Sequence, residues 1–287
     1  MISNLFLSVG AMKAGTTWLY EHLKNHPDIH FSPEKEVHYF ANKVGIENQL
    51  SYRNRLLKLK AIMHRCHNGN AKFIANNVSE IAWYANYANK EVIDNEWYIS
   101  LFDDVAEGQY CADFSNLYCQ MGNDGWKNVS RVSRNVKVIY TLRDPMKRLW
   151  SHYKFHHKWV GKEDNVLEDG VELFKDTLSK SWFYKNADYA GNLQKVIEGV
   201  GKDNVLVLYF EDFRDNPSHE ASKIATFLNI SPIQIESASN NKKVNATKDY
   251  KMPYEWQLIA QEFLSPYIKE MRKENIWHVS WMAEEKI

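Results

Sequence analysis

Residues 7–23 read LSVGAMKAGTTWLYEHL. An apolar run enters Gly10, a second glycine follows at 15, and Thr16 and Thr17 lead into a stretch with helical spacing. Strand, glycine loop and helix start in succession gather backbone N–H groups and the positive helix end at one point, which suits an anion. A nucleoside-triphosphate loop reads G-x-x-x-x-G-K-[ST], with lysine directly after the second glycine. Here Thr16 holds that place, and the loop's lysine, Lys13, lies between the glycines. The triphosphate lysine serves the β- and γ-phosphates. A lysine inside the turn reaches a group nearer the loop, such as a 5′-linked phosphate and its substituent. The plainer alternative is a strand-to-helix turn that uses its glycines only for their backbone angles. Lys13 beside two hydroxyls favours the anion site.

Two further apolar runs, Val136–Leu142 and Val205–Phe210, join Leu5–Val9 as expected buried parallel strands. Helical patterns follow them. Thr16–Asn25 places Trp18, Leu19, His22 and Leu23 on one face and ends at His26-Pro27, and Pro145–Trp159 opens with proline in its first turn. Asn216-Pro217 opens another helix, with Ile224, Phe227 and Leu228 on one face. Strand–loop–helix units at these intervals predict an α/β fold: a P-loop-like parallel sheet with helices on both faces. No repeat or linker breaks the chain, so residues 1–287 read as one domain, with 42–110 a mostly helical insertion on the acceptor side.

The balance of charge excludes some partners. Lys+Arg and Asp+Glu number 36 each among 287 residues, so no global field draws the chain to nucleic acid or anionic membrane. Attraction for an anion must be local. Three cysteines, Cys66, Cys111 and Cys119, are too few for a disulfide scaffold and fit reduced thiols. No stretch approaches the ~20 apolar residues of a membrane span, and residues 5–9 are too short for a signal peptide. A soluble, cytoplasmic protein is the expectation.

The second informative stretch, VIYTLRDPMKRLWSHYKFHH, covers residues 138–157. Arg143 follows a strand's carboxyl end, where ligands of open α/β sheets bind, and Ser151 stands on the next helix. The two could converge on a second phosphate. Alternatively Asp144 caps the helix, pairing locally with Lys147 or Arg148. A magnesium-binding Asp144 is disfavoured by the fixed charge of Arg143 beside it.

Together, the loop and the motif R-x-P-x-x-R-x-x-S-x-Y, met at Arg143, Pro145, Arg148, Ser151 and Tyr153, resemble the sulfotransferases that use 3′-phosphoadenosine 5′-phosphosulfate (PAPS). PEKEVHYF, VLVLYFEDFRDNP and ATKDYKMP extend the likeness over nearly the whole chain, closest in type to the heparan-sulfate (glycan) and bacterial enzymes. Several roles are implied by this resemblance. Lys13 would bind the bridging oxygen and stabilise the leaving phosphate, while Ala14, Gly15, Thr16 and Thr17, with Trp18 beside them, would hold the 5′-phosphate. Arg143 and Ser151 would hold the 3′-phosphate, and Lys248, or else Lys243 or Lys251, would close over the donor. The product would be adenosine 3′,5′-bisphosphate (PAP), and no metal is required. Glu36 takes the position of the family's catalytic carboxylate. His38, two residues on, would face the same side of an extended segment and is the alternative base. Asp113 stands where relatives carry glutamate, and could orient Lys13 or the acceptor. The acceptor would be a carbohydrate or small alcohol, sulfated on a hydroxyl or, second, an amine. A P-loop kinase and a nucleotide-binding module without catalysis are the competing readings.

Other clusters are weaker. His64, Cys66 and His67 lack a second ligand pair, and His152 and His156 lack a metalloprotease glutamate. The run Arg53, Arg55, Lys58, Lys60, His64 and Arg65 reads as a solvated helix face, which could attract an anionic glycan if it lined the cleft.

Overall fold

The computed structural model describes residues 1–235 and 248–282. Five strands, β1 (Ile2–Ser8), β2 (Ile29–Phe31), β3 (Tyr110–Asp113), β4 (Ser133–Leu142) and β5 (Val205–Tyr209), form one parallel sheet in the order β2-β3-β1-β4-β5. The helices in chain order are α1 (Thr16–Leu23), α2 (Tyr39–Lys43), α3 (Tyr52–His67), α4 (Ala71–Asn76), α5 (Val78–Tyr87), α6 (Asn95–Ser100) and α7 (Asn123–Val132). They continue as α8 (Pro145–Trp159), α9 (Val171–Ser179), α10 (Ser181–Tyr184), α11 (Tyr189–Val200), α12 (Phe210–Asp215), α13 (Pro217–Leu228) and α14 (Tyr254–Lys273).

Alternation along the strands explains the helices on both faces. Leu5, Leu7, Val136, Val138 and Tyr140 point to the side where α7 and α11 bring Trp126, Val129, Leu193 and Val196. Phe6, Ile139 and Leu208 point the other way, against Leu19 and Leu23 of α1 and Ile224 and Leu228 of α13. A third apolar cluster joins α8, α9 and α14 through Leu149, Tyr153, Phe174, Trp256 and Leu264.

The expected α/β architecture holds, and so do three of its strands and the α8 helix. β5 ends one residue early because Phe210 starts α12, and α1 stops at Leu23. Residues 42–110 are mostly helical, as expected, with α3 to α6 in this region. The charged run on α3 is a different matter. Arg55 is fully buried there and donates to the carbonyls of Leu50, Tyr87 and Glu91, so it is a structural tie. Lys58 pairs with Glu34 and Arg65 with Glu80, and none of the run lines the cleft described below.

Candidate active site

The site grows from the pairing of β1 with β4. Their ladder continues past the strands: Ala11 N–H donates to the Thr141 carbonyl at 2.7 Å, and Thr141 N–H to the Gly10 carbonyl at 2.8 Å. This sets the glycine loop beside Arg143. Gly15 has φ 93°, and a Cβ there would meet the Phe210 ring at 2.5 Å, so only glycine fits the entry to α1. Lys13 also adopts a left-handed backbone, φ 66°. Arg143 Nη1 donates to the Lys13 carbonyl at 3.1 Å and its guanidinium lies 4.8 Å from the Phe210 ring centre. The loop is thus closed by the very arginine expected to share its ligand.

Lys13 Nζ sits 4.3 Å from the Phe155 ring centre, on the face of α8. Burial pushes its pKa down to about 8, with Arg143 and Lys158 adding repulsion and Glu36 partly opposing them. Gly15, Thr16, Thr17 and Trp18 line the same cleft as Lys13, Arg143 and Ser151. Ala14 does not: its side chain is fully buried and its N–H closes a turn onto the Ala11 carbonyl at 3.1 Å. The loop's available N–H donors are those that open α1, which lack intrahelical partners. Trp18 stacks on His22 with ring centres 3.8 Å apart and leans on Phe213.

Across the cleft, Glu36 and His38 meet, though by a route the sequence did not suggest. Residues 32–38 are not a strand, and His38 is left-handed (φ 60°) at the start of α2. The loop after β3 holds this strap. Val37 N–H donates to Asp113 Oδ1 at 3.3 Å, His38 N–H to Ser115 Oγ at 2.7 Å, and Phe114 N–H to the Lys35 carbonyl at 3.0 Å. Asp113 itself is fully buried and also accepts from Ser115, Tyr98 and Tyr118. It therefore orients the strap behind Glu36 and not Lys13. Burial holds its pKa above the ordinary carboxylate range.

Glu36 collects three donors: Lys35 Nζ on Oε1 at 3.2 Å, and His38 Nε2 and Asn116 Nδ2 on Oε2 at 3.2 and 3.0 Å. Burial opposes the charged form, yet the His38 hydrogen bond and the Lys35 charge outweigh it and hold the pKa below its usual value. His38 is the mirror image: burial lowers its pKa, and Glu36 with Asp113 raises it to a net increase. Lys35 Nζ also reaches Thr17 Oγ1 at 3.3 Å and so ties the strap to the glycine loop. Asn116 was missed by sequence reasoning, whereas the pairing of Lys35 with its neighbour Glu36 is the local alternative the sequence offered for that carboxylate. Asn116 lies 80 positions from its partner, and the reach of Lys35 to Thr17 leaves no signal in the sequence.

The cleft encloses about 2470 Å³. Lys248 stands outside it, exposed and paired with Asp164, while its neighbour Asp249 lines it. Lys251 is exposed and also off the lining, and Lys243 lies outside the described residues. Asp144 caps α8, accepting from Lys147 N–H at 2.8 Å, as the local alternative had it. His152 is buried against Phe183, with Nδ1 3.4 Å from Arg148 Nη1. Among the described residues, no group of three or more His, Cys, Asp or Glu side chains could hold a metal ion. No helix among them is long and apolar enough to cross a membrane.

A glycine loop between a central strand and a helix, faced by a half-buried arginine and an ionised carboxylate, defines a P-loop-like group-transfer site. The chain belongs to the sulfotransferase family, whose family model matches residues 6–234. Mouse (Mus musculus) carbohydrate sulfotransferase 15 is 23% identical over 309 residues, 91% of this chain and 51% of that protein. The membrane-associated sulfotransferase kil1 of Dictyostelium discoideum is 26% identical over 155 residues, 54% of this chain and 23% of its own. The chain spans about half the length of the first of these relatives and less of the second. In fold it is similar to a sulfotransferase from Alicyclobacillus acidocaldarius, with a TM-score of 0.66 at 18% identity over 98% of this chain and 100% of that one. The sulfotransferase domain of the Synechococcus PCC 7002 olefin synthase gives 0.52 at 16% identity, covering 93% and 96%. The resemblance read from the two motifs is borne out.

Proposed function

We propose that this protein transfers a sulfuryl group from PAPS to a hydroxyl of a carbohydrate or small natural product, with Glu36 as general base. The observation that carries this reading is the hydrogen-bond count at Glu36. An ionised carboxylate offers about four acceptor sites. Lys35, His38 and Asn116 use three, which leaves one on Oε1 for the hydroxyl of an acceptor. His38 is the weaker candidate base, because its raised pKa and its contact with Glu36 make Nε2 a donor.

The donor fits the opposite wall. Arg143 Nε is buried without a hydrogen-bond partner among the described residues, and Lys13 Nζ makes no ion pair with a carboxylate there. Cations left in this state match the phosphates of a bisphosphate nucleotide. When bound, the donor supplies an activated sulfur whose bond to the 5′-phosphate oxygen breaks as the acceptor oxygen attacks. Glu36 takes the acceptor's proton, and the Lys13 ammonium neutralises the negative charge that gathers on the departing oxygen. Arg143 and Ser151 hold the 3′-phosphate, and the N–H groups and hydroxyls at the start of α1 hold the 5′-phosphate. The chemistry uses no metal. A cytoplasmic setting suits the three cysteines, all free and buried.

Calorimetry tests the donor side. PAP is expected to bind without magnesium and at least ~10-fold more tightly than ADP, the worth of one charge-assisted contact. Equal affinities, or binding that requires magnesium, would return the site to the kinase reading.

A further inference from the structure

The cationic run on α3 takes no part in the cleft, yet the fold leaves it a surface of its own. No aspartate or glutamate stands between Glu47 and Glu80, a stretch that holds Arg53, Arg55, Lys58, Lys60, Arg65 and Lys72. The chain balances 36 basic against 36 acidic residues, so without these six the rest has 30 against 36, and the positive excess is gathered here. Arg55 is buried, and Lys58 and Arg65 pair with Glu34 and Glu80. Arg53, Lys60 and Lys72 are exposed and form no ion pair among the described residues.

Apolar side chains share that surface. On α3, Arg53, Leu57, Lys60 and His64 recur at helical spacing on the side opposite the buried Arg55, Ile62 and Cys66. Leu57 is 52% exposed, Met63 57% and, where α5 begins, Val78 57%. The next helix, α4, has no buried residue, although it carries Phe73 and Ile74. A helix of six residues is not stable by itself in water, and this one buries nothing that would support it. Phe73 lies over Gly69, in the turn from α3, where an added Cβ would meet its ring at 2.6 Å.

Such a surface suits a partner that is both anionic and apolar. A nucleic acid or a sulfated glycan would meet the cations and leave Leu57, Met63 and Ile74 in water. The headgroups of an acidic bilayer take the cations, and the acyl boundary just beneath takes the apolar side chains. The long stems of Arg53, Lys60 and Lys72 let their charges stay at headgroup level while Leu57 and Met63 dip lower. None of these residues lines the cleft, so covering them leaves its donor and acceptor walls open.

We propose that the exposed faces of α3 and α4 dock this protein on a membrane surface that contains anionic phospholipid. The contact is peripheral and works through local charge in a chain whose net charge is zero. It does not depend on the sulfuryl-transfer reading.

The test is sedimentation of the full chain with phosphatidylcholine vesicles and with the same vesicles containing phosphatidylserine. Binding is expected only to the second, and it should weaken as salt is raised. The triple variant Arg53→Gln, Lys60→Gln, Lys72→Gln should bind ~10²-fold more weakly, at about fivefold for each cation. The double variant Leu57→Ser, Met63→Ser should bind ~10-fold more weakly at unchanged charge. All five positions are exposed, so urea midpoints should match the wild type and show that the variants are folded. Equal sedimentation with both vesicles, or undiminished binding by the triple variant, would overturn the proposal. So would an unimpaired double variant, which would make the patch a site for soluble polyanions.

Discussion

The two walls of the cleft solve opposite electrostatic problems. On the loop side, Lys13 and Arg143 are crowded together against Phe155 and Phe210; burial depresses the pKa of both, and at Lys13 repulsion from Arg143 adds to it. On the strap side, Glu36 is surrounded by Lys35, His38 and Asn116 and is more comfortable charged than in water. One wall is built for a partner from outside, and the other is complete before the substrates arrive. The difference teaches that donor affinity and acceptor activation can be disturbed separately.

Glu36→Gln gives the largest effect. It keeps the shape, removes the base, and should lower turnover by ~10²–10⁴ while PAP affinity stays put. Labelled-sulfate transfer beside nucleotide titration reads both, and a parallel fall in PAP affinity would break the separation. Arg143→Ala attacks the other wall. It should cost ~10-fold or more in PAP affinity and erase the preference over ADP, since one charge-assisted bond is worth ~1.5–3 kcal/mol.

Asp113→Asn probes what lies behind the strap. Asp113 accepts from Val37, Ser115, Tyr98 and Tyr118, and an amide cannot accept from all four with one oxygen. A stability loss of about 1–3 kcal/mol, read as a lower urea midpoint, is expected, with kcat falling more than PAP affinity. Intact kcat would show that the strap keeps its place without the Asp113 carboxylate, on its ties to Phe114, Ser115 and Thr17.

The pH dependence is the smallest effect. Lys13 has its folded pKa lowered to about 8 from an ordinary 10.5. Above that pKa it loses the charge that attracts phosphate, so PAP affinity should fall as pH rises through about 8, and the fall should vanish in Lys13→Asn. The effect on folding has the opposite sign. Between the two pKa values the unfolded chain binds the extra proton, so this group's contribution to stability rises with pH. A ligand-free melt that moved down across that window in the wild type alone would contradict it.

Much of this architecture was legible because it was local. Apolar runs marked β1, β4 and β5, and a capping aspartate followed by proline marked α8. β2 and β3 escaped notice: they have three and four residues, are rich in aromatics, and flank the helical region. Lys13, Gly15, Arg143 and Ser151, which line one cleft, could be singled out because each sits in a motif beside a strand end. Glu36 and His38 were paired correctly for the wrong reason, since the pairing comes from a left-handed turn and not from an extended segment. Asn116, the tie from Lys35 to Thr17 and the contact of Asp113 with the strap depend on separate segments meeting, which leaves no periodic trace.

Lys13 and His38, one from each wall, share the unusual left-handed backbone. For a residue with a Cβ that conformation costs roughly 1–2 kcal/mol, and asparagine and glycine bear it most easily. Alanine at position 13 removes the ammonium and keeps the backbone cost that lysine already carries, whereas asparagine or glycine removes both. A variant of the second kind therefore gains stability while it loses chemistry, and alanine is the control that leaves the backbone cost in place. A library selected only for folding should enrich asparagine and glycine at positions 13 and 38, and one selected for turnover should restore lysine and histidine. The two enrichment maps, laid over each other, would pick out the positions where this chain gives up stability to do its work.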